Sequence, residues 1–283
     1  MSIFDSAYYL EAYAQFVAGY DKSGTMKVLS ESEFVKHVVE QLKTKDTSIR
    51  MLGIGSSSGE IEILFIKQLL NRFSTIENTV VEPSTKAITE YQSTVKGKWN
   101  NVKFSWFNST FQQFREQLES AGNDQKFHHI NLVDSIYYVD NLKEDILFMF
   151  DKLEKGGIML IVVQSDQCLM HKIKQRYPEL SPESKLVSST EVIDACKTNR
   201  IPFHHHRQEG YADISRLYSH SFTRNEHMLV DFLVEITNFK ENVSEGFYDE
   251  VIAFIKSQVC SETTEGKMMV HADIDLMFIT KQV

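Results

Sequence analysis

Apolar positions along this 283-residue chain alternate between two rhythms. Phe34, Val35, Val38, Val39 and Leu42 fall at helical spacing, and Ser30-x-x-Glu33 ahead of them has the form of a capping box, so the pattern predicts a helix starting at Ser30. Arg50–Gly55 then predicts a short buried strand, after which Ile61, Leu64, Phe65 and Leu69 return to helical spacing. The unit repeats: "NTVVEPS" predicts a strand, 85–95 a helix, "NVKFSWF" a third strand and "FHHINLVDS" a fourth. Asp140 is placed to cap a helix that turns Leu142, Ile146, Phe150 and Leu153 inward. The run "GGIMLIVVQS" is continuously apolar, as in strands covered on both faces of a parallel sheet. Strands alternating with helices at this spacing predict right-handed crossovers and an α/β, doubly wound, mostly parallel sheet.

From about Pro202 the rhythm changes. Two amphipathic helices follow, one carrying Leu229, Phe232, Leu233 and Ile236 and the other Phe247, Val251, Phe254 and Ile255, before "DIDLMFITK" predicts a last strand. This divides the chain into a sheet domain of 1–200 and 268–283 and a helical and β cap of 201–267. A net charge of −9 argues against a nucleic-acid partner, whose phosphates call for a basic stripe. No apolar run approaches the roughly 18 residues of a membrane span, and the N-terminus lacks a basic, then apolar, leader. Three widely spaced cysteines, Cys168, Cys196 and Cys260, fit a reducing compartment. The expectation is a cytoplasmic monomer acting on a small molecule, with no membrane or nucleic-acid partner.

The chemistry concentrates after the first strand. In an open α/β sheet, ligands bind outside the carboxyl ends of the strands, where strand order reverses. Gly55 and Gly59 bracket three serines there, permitting a tight turn and close backbone approach to a ligand, and the helix that follows offers unpaired amides. Glu82 ends the second strand and can accept both hydroxyls of a ribose. That pair is common to dinucleotide and S-adenosylmethionine sites, but the loop lacks the middle glycine of G-x-G-x-x-G, at which backbone meets a pyrophosphate. Asp134, after the fourth strand, is either a turn cap or a ligand contact. Tyr9, Tyr13, Phe16 and Tyr20 recur at helical spacing and serve equally as core or as an aromatic wall. The run His204-His205-His206 points successive rings apart along a strand and makes a poor metal site, so no metal is expected. His128 and His129 read as packing residues, and Cys168 with His171 as structural.

The blocks "LGIGSSSGEIEI", "VVEPS", "NVKFSW", "INLVDSIYYVDN", "IVVQS" and "DFLVEITNF" resemble, in order and spacing, the histamine N-methyltransferases, class I S-adenosylmethionine-dependent enzymes of small-amine metabolism. The resemblance covers nearly the whole chain. It implies a seven-stranded sheet with a substrate-binding cap, S-adenosylmethionine as cofactor and a histamine-like amine or imidazole as acceptor. It also implies cofactor contacts at Gly55, Gly59, Glu82, Ser84, Thr110 and Val133. The family's glutamine after "EPS" is Ala87 here, and its serine beyond the third strand is Phe111, with Thr110 or Ser109 as substitutes. For the acceptor it implies Phe4, Tyr9, Tyr13, Phe16, Lys22, Asp134, Tyr137, Tyr138, Phe232 and Asp273, with Asp134 at the reacting nitrogen. Three of these depart from the family: Asp134 stands for a glutamine, Lys22 (or Asp21) for a glutamate, and Asp273 or Ile274 for an asparagine. The alternatives are a methyltransferase fold that binds without turnover and, further off, a nicotinamide-dependent oxidoreductase.

Overall fold

The computed structural model describes residues 7–180 and 187–282. Two helices, α1 (Ala7–Val17) and α2 (Lys22–Glu31), lead into a π-helical turn at Val35–Val39. The alternation follows: β1 (Ser48–Ile54), α3 (Glu60–Leu70), β2 (Thr75–Val81), α4 (Thr85–Val95), β3 (Val102–Phe107), α5 (Phe111–Ser120), β4 (Phe127–Val133), α6 (Leu142–Asp151) and β5 (Leu153–Gln164). Next come α7 (Leu169–Arg176), α8 (Ser189–Thr198), β6 (Phe203–Gln208), β7 (Tyr211–Asp213), α9 (Arg224–Val234), α10 (Phe239–Asn242) and α11 (Glu245–Ser257). The described chain ends with β8 (Val259–Glu262), β9 (Met268–His271) and β10 (Ile274–Thr280).

Seven strands form one sheet in the order β3-β2-β1-β4-β5-β10-β6, and β1 to β5 pair in parallel. The order reverses between β1 and β4, which opens a crevice at their carboxyl ends. β7, β9 and β8 make a small antiparallel sheet. No described helix is long and apolar enough to cross a membrane.

Two local expectations are corrected. Ser30 does not open a helix: α2 begins at Lys22 instead, and the Ser30 hydroxyl donates to the Lys27 carbonyl at 2.7 Å. The apolar face that follows is carried by the π turn, and Phe34, Val38, Val39 and Leu42 are buried while Val35 is only half-buried. Capping of α6 falls to Asn141, whose side chain accepts the Glu144 amide, rather than to Asp140.

The chain divides into two compact units. One holds the described residues of Ser23–Val163, Glu191–His206 and Leu276–Val283; the other holds those of Met1–Lys22, Gln164–Thr190 and Arg207–Asp275. The second unit thus takes in α1 and α7 besides Arg207–Asp275, beginning and ending a few residues later than the segment set apart by its sequence rhythm, and α1 and α7 both pack on α9.

The first unit's core is the sheet. Ile158 through Val163 of β5 are fully buried, and Phe34 stacks on Phe65 at 4.3 Å and meets the His129 ring edge-on at 5.3 Å. His129 is fully buried and Nδ1 lies 2.9 Å from the Ile158 carbonyl, so Nδ1 carries the proton and the ring is neutral. Burial lowers its pKa from 6.5 to about 4. A folded-state value below the unfolded one gives stability that is present above pH 6.5 and lost as pH falls toward 4. Urea titrations at pH 7 and pH 4.5 are expected to show the wild type losing about 2–3 kcal/mol more than His129→Leu, a substitution that removes the titration. Equal losses in the two proteins would contradict this.

Candidate functional site

At the carboxyl end of β1 the chain turns sharply at Gly55, in the left-handed region at φ 68°. Its amide donates to the Val81 carbonyl at 2.8 Å, and a Cβ there would stand 2.4 Å from that of Ser135, so only glycine fits. Ser57, also left-handed at φ 49°, points its amide at Glu82, donating to Oε2 at 2.9 Å. The Ser84 amide donates to Oε1 at 2.8 Å. Glu82 is buried, and Asn108 ties its carbonyl and that of Pro83 to the end of β3 at 3.0 and 2.9 Å. The carboxylate is therefore fixed beside the glycine turn. Gly59, at φ 79°, starts α3 and lies so close to the Tyr91 ring that a Cβ would come within 2.3 Å of it.

The other sequence-derived cofactor positions fare differently. The Ser84 hydroxyl accepts the Ala87 amide as N-cap of α4, and Thr110 forms a capping box with Gln113 at the start of α5. Both hydroxyls are thus engaged in helix starts. Phe111 turns inward, 6.0 Å from the Phe148 ring. Ser109 differs: its Oγ is buried and has no hydrogen-bond partner among the described residues. Val133 closes β4, and Asp134 follows in the left-handed region at φ 50°, its amide donating to the Val162 carbonyl at 3.0 Å. Ser135 bonds the Ile54 carbonyl at 2.7 Å, joining this turn to β1. Tyr137 is buried and Tyr138 exposed, their rings edge-to-face at 6.1 Å. Ser57 and Asp134 are non-glycine residues in a disfavoured conformation, and both stand on loops at the sheet's carboxyl edge, the kind of strain that collects at binding sites.

The second unit gathers the remaining candidates. From α1, Tyr9, Tyr13 and Phe16 converge on Phe232 of α9 at 5.9, 5.5 and 5.1 Å, and Phe16 reaches Tyr20 at 5.6 Å. The Lys22 ammonium sits 5.9 Å over the Tyr13 ring. Tyr8 anchors α1 by donating to Asp231, which also accepts the Asn238 and Phe239 amides; burial pushes the Tyr8 phenol up to about 12. Asp273 is 3% exposed, and its Oδ1 accepts the Gly210 amide at 3.0 Å and lies 3.3 Å from His271 Nδ1. Tyr20 lies against Gly210, so the carboxylate and the aromatic set belong to one contiguous group. Phe4 lies outside the described residues.

Among the described residues no group of three or more histidine, cysteine or acidic side chains is disposed to hold a metal ion. Cys196 is buried, which pushes its thiol up to about 11 and leaves it inert at neutral pH. Sequence reasoning named Ser109 beside Thr110 but missed Ser57 and Asn108; a polar triplet just past a strand end was the available signal.

The donors and acceptors at the carboxyl edge fit a nucleoside: a preset carboxylate for a ribose diol, a bare backbone turn and an unsatisfied buried hydroxyl. A family profile described as a methyltransferase domain matches residues 30–224. The chain belongs to that methyltransferase family. Its cofactor is S-adenosylmethionine, as in other class I methyltransferases. The methyltransferase is 26% identical over 282 residues to histamine N-methyltransferase A of Xenopus laevis, covering 97% of this chain and 96% of that protein. Carnosine N-methyltransferase 2 of Gallus gallus is 22% identical over 270 residues, 92% of this chain and 83% of its own. Among solved structures, loganic acid methyltransferase with SAH has a TM-score of 0.55 at 9% identity, covering 99% of this chain and 98% of that one. The fold is thus shared well beyond recognisable sequence similarity.

Proposed function

We propose that this methyltransferase acts on a nitrogen of a small, cationic amine or imidazole compound, of which histamine is the first candidate. S-adenosylmethionine, when bound, supplies a methyl group activated by its positive sulfur, so the protein need only bind, align and exclude water. Glu82 accepts the ribose hydroxyls, and the Gly55 turn lets the cofactor approach bare backbone. Val133 and the Ser109 hydroxyl contact the adenosine part; Ser109 takes the place that the family pattern gives to a serine and that Thr110, engaged as a cap, does not fill. Asp134 accepts a hydrogen bond from the acceptor nitrogen and so orients it, with Tyr137 and Tyr138 beside it. Within the second unit, Tyr9, Tyr13, Phe16 and Phe232 are ring faces of the kind that suits a flat imidazole or an ammonium, and Asp273 is a negative charge of the kind that suits a cation.

The observation that carries the reading is the Ser57 amide on Glu82, which joins the glycine turn to the ribose carboxylate in one rigid unit. Calorimetry with S-adenosylhomocysteine followed by labelled-methyl transfer to histamine, carnosine and simple primary amines tests it. Saturable binding and label in at least one nitrogen acceptor are expected. Binding without label in any acceptor would favour a non-catalytic binder, and absence of binding would remove the cofactor site.

A further inference from the structure

Glu62 has no part in the chemistry above, yet it lies directly beneath it. Although it belongs to the first turn of α3, where an acid commonly faces solvent, it is 3% exposed and points into the sheet. Oε2 accepts the Ser56 hydroxyl at 2.6 Å; Oε1 accepts the Asn78 amide from β2 and the Tyr91 hydroxyl from α4 at 3.1 Å. The only titratable side chain among these partners is Tyr91, and no cation is among them. Gly53 makes room: a Cβ there would stand 1.8 Å from Oε2, which accounts for a glycine inside a buried strand. A carboxyl buried without a counter-charge costs stability, and an apolar residue of similar size commonly does better. Burial accordingly raises its pKa. Stability alone does not explain such a residue.

We propose that Glu62 is the positioning residue of the nucleoside loop, gripping Ser56 from below so that the adjacent Ser57 amide stays on Glu82. The carboxyl joins the loop to β2 and α4 at once, and Ser56 is the loop side chain it holds. The left-handed turn at Ser57 is otherwise disfavoured for serine and requires restraint on both sides. Glu82 supplies one restraint and Glu62 the other. The inference rests on the assignment of loop 55–59 to the cofactor.

The test uses the full chain and S-adenosylhomocysteine as probe, reading its Kd by calorimetry and the melting temperature without ligand. Ser56→Ala removes only the grip on the loop and is expected to raise Kd about five- to tenfold while the ligand-free melting temperature stays within about 2 °C. Glu62→Leu is expected to weaken binding at least as much, and Glu62→Gln, which keeps the shape and can donate to Ser56, to restore Kd to within about threefold of wild type. The double variant Ser56→Ala/Glu62→Leu binds no worse than the weaker single, because both act through one contact. Wild-type Kd in Ser56→Ala overturns the proposal even where Glu62→Leu fails to fold. Failure of the wild type itself to bind removes the cofactor assignment, and the proposal with it.

Discussion

Glu82→Gln is expected to raise the Kd for S-adenosylhomocysteine at least about a hundredfold, because two charge-assisted hydrogen bonds to the ribose are weakened together and each is worth about 1.5–3 kcal/mol. The geometry makes the effect larger than the loss of charge alone. Both carboxylate oxygens already accept a backbone amide, Ser57 on one side and Ser84 on the other. A glutamine side chain has one acceptor and one donor end, so whichever way it turns, an NH2 group meets an N–H. The loop must then move away from β2. Glu82→Asp keeps the charge but withdraws it by about one methylene, and is expected to fall between the two. Calorimetry of the three proteins decides the matter; a Kd for Glu82→Gln within threefold of wild type would show that the nucleoside binds elsewhere.

The acceptor side is tested most sharply at Asp273. Asp273→Asn is expected to raise KM for a cationic acceptor about ten- to hundredfold, as for loss of a hydrogen bond to a charged group, with the Kd for S-adenosylhomocysteine unchanged. Asparagine keeps an oxygen for the Gly210 amide, so the fold around β10 is retained and only the charge is removed. The charge has a particular importance in this chain. Lys22 lies over the Tyr13 ring, in the same aromatic group, and would repel an ammonium; the buried Asp273 carboxylate is the proposed counterweight. The decisive measurement is the ratio of KM values for a primary amine and for an uncharged imidazole. Equal losses for both would remove Asp273 from recognition of the cation.

The rhythm of the sequence indicates the α/β alternation and the parallel sheet because both depend on short-range periodicity: β5 is buried on both faces and is accordingly continuous in its apolar residues. Gly55 and Glu82 are legible for a related reason, since a strand end followed by glycine and a strand end closed by an acid are local signals whose spatial meeting is fixed by the parallel pairing of β1 with β2. Local signals also misled. Ser30-x-x-Glu33 has a capping-box pattern, but the helix preceding it was the one that formed, and Asn141 displaced Asp140 as a cap by one position. Such competition between neighbouring polar residues is settled by how the element packs, which periodicity does not encode.

Sequence alone therefore determined the α/β alternation, the mostly parallel sheet and the family, all properties of contiguous residues or of their spacing. Tertiary structure alone decided which hydroxyl at the end of β3 stays unsatisfied among the described residues, Ser109 rather than Thr110, and that Asp273 is buried with its Oδ1 on the Gly210 amide. It also turned Glu62 from a helix-face acid into the support of the loop. Each of these depends on hydrogen bonds between segments far apart in the chain, and a buried polar atom's role is fixed by which partners the fold brings within reach.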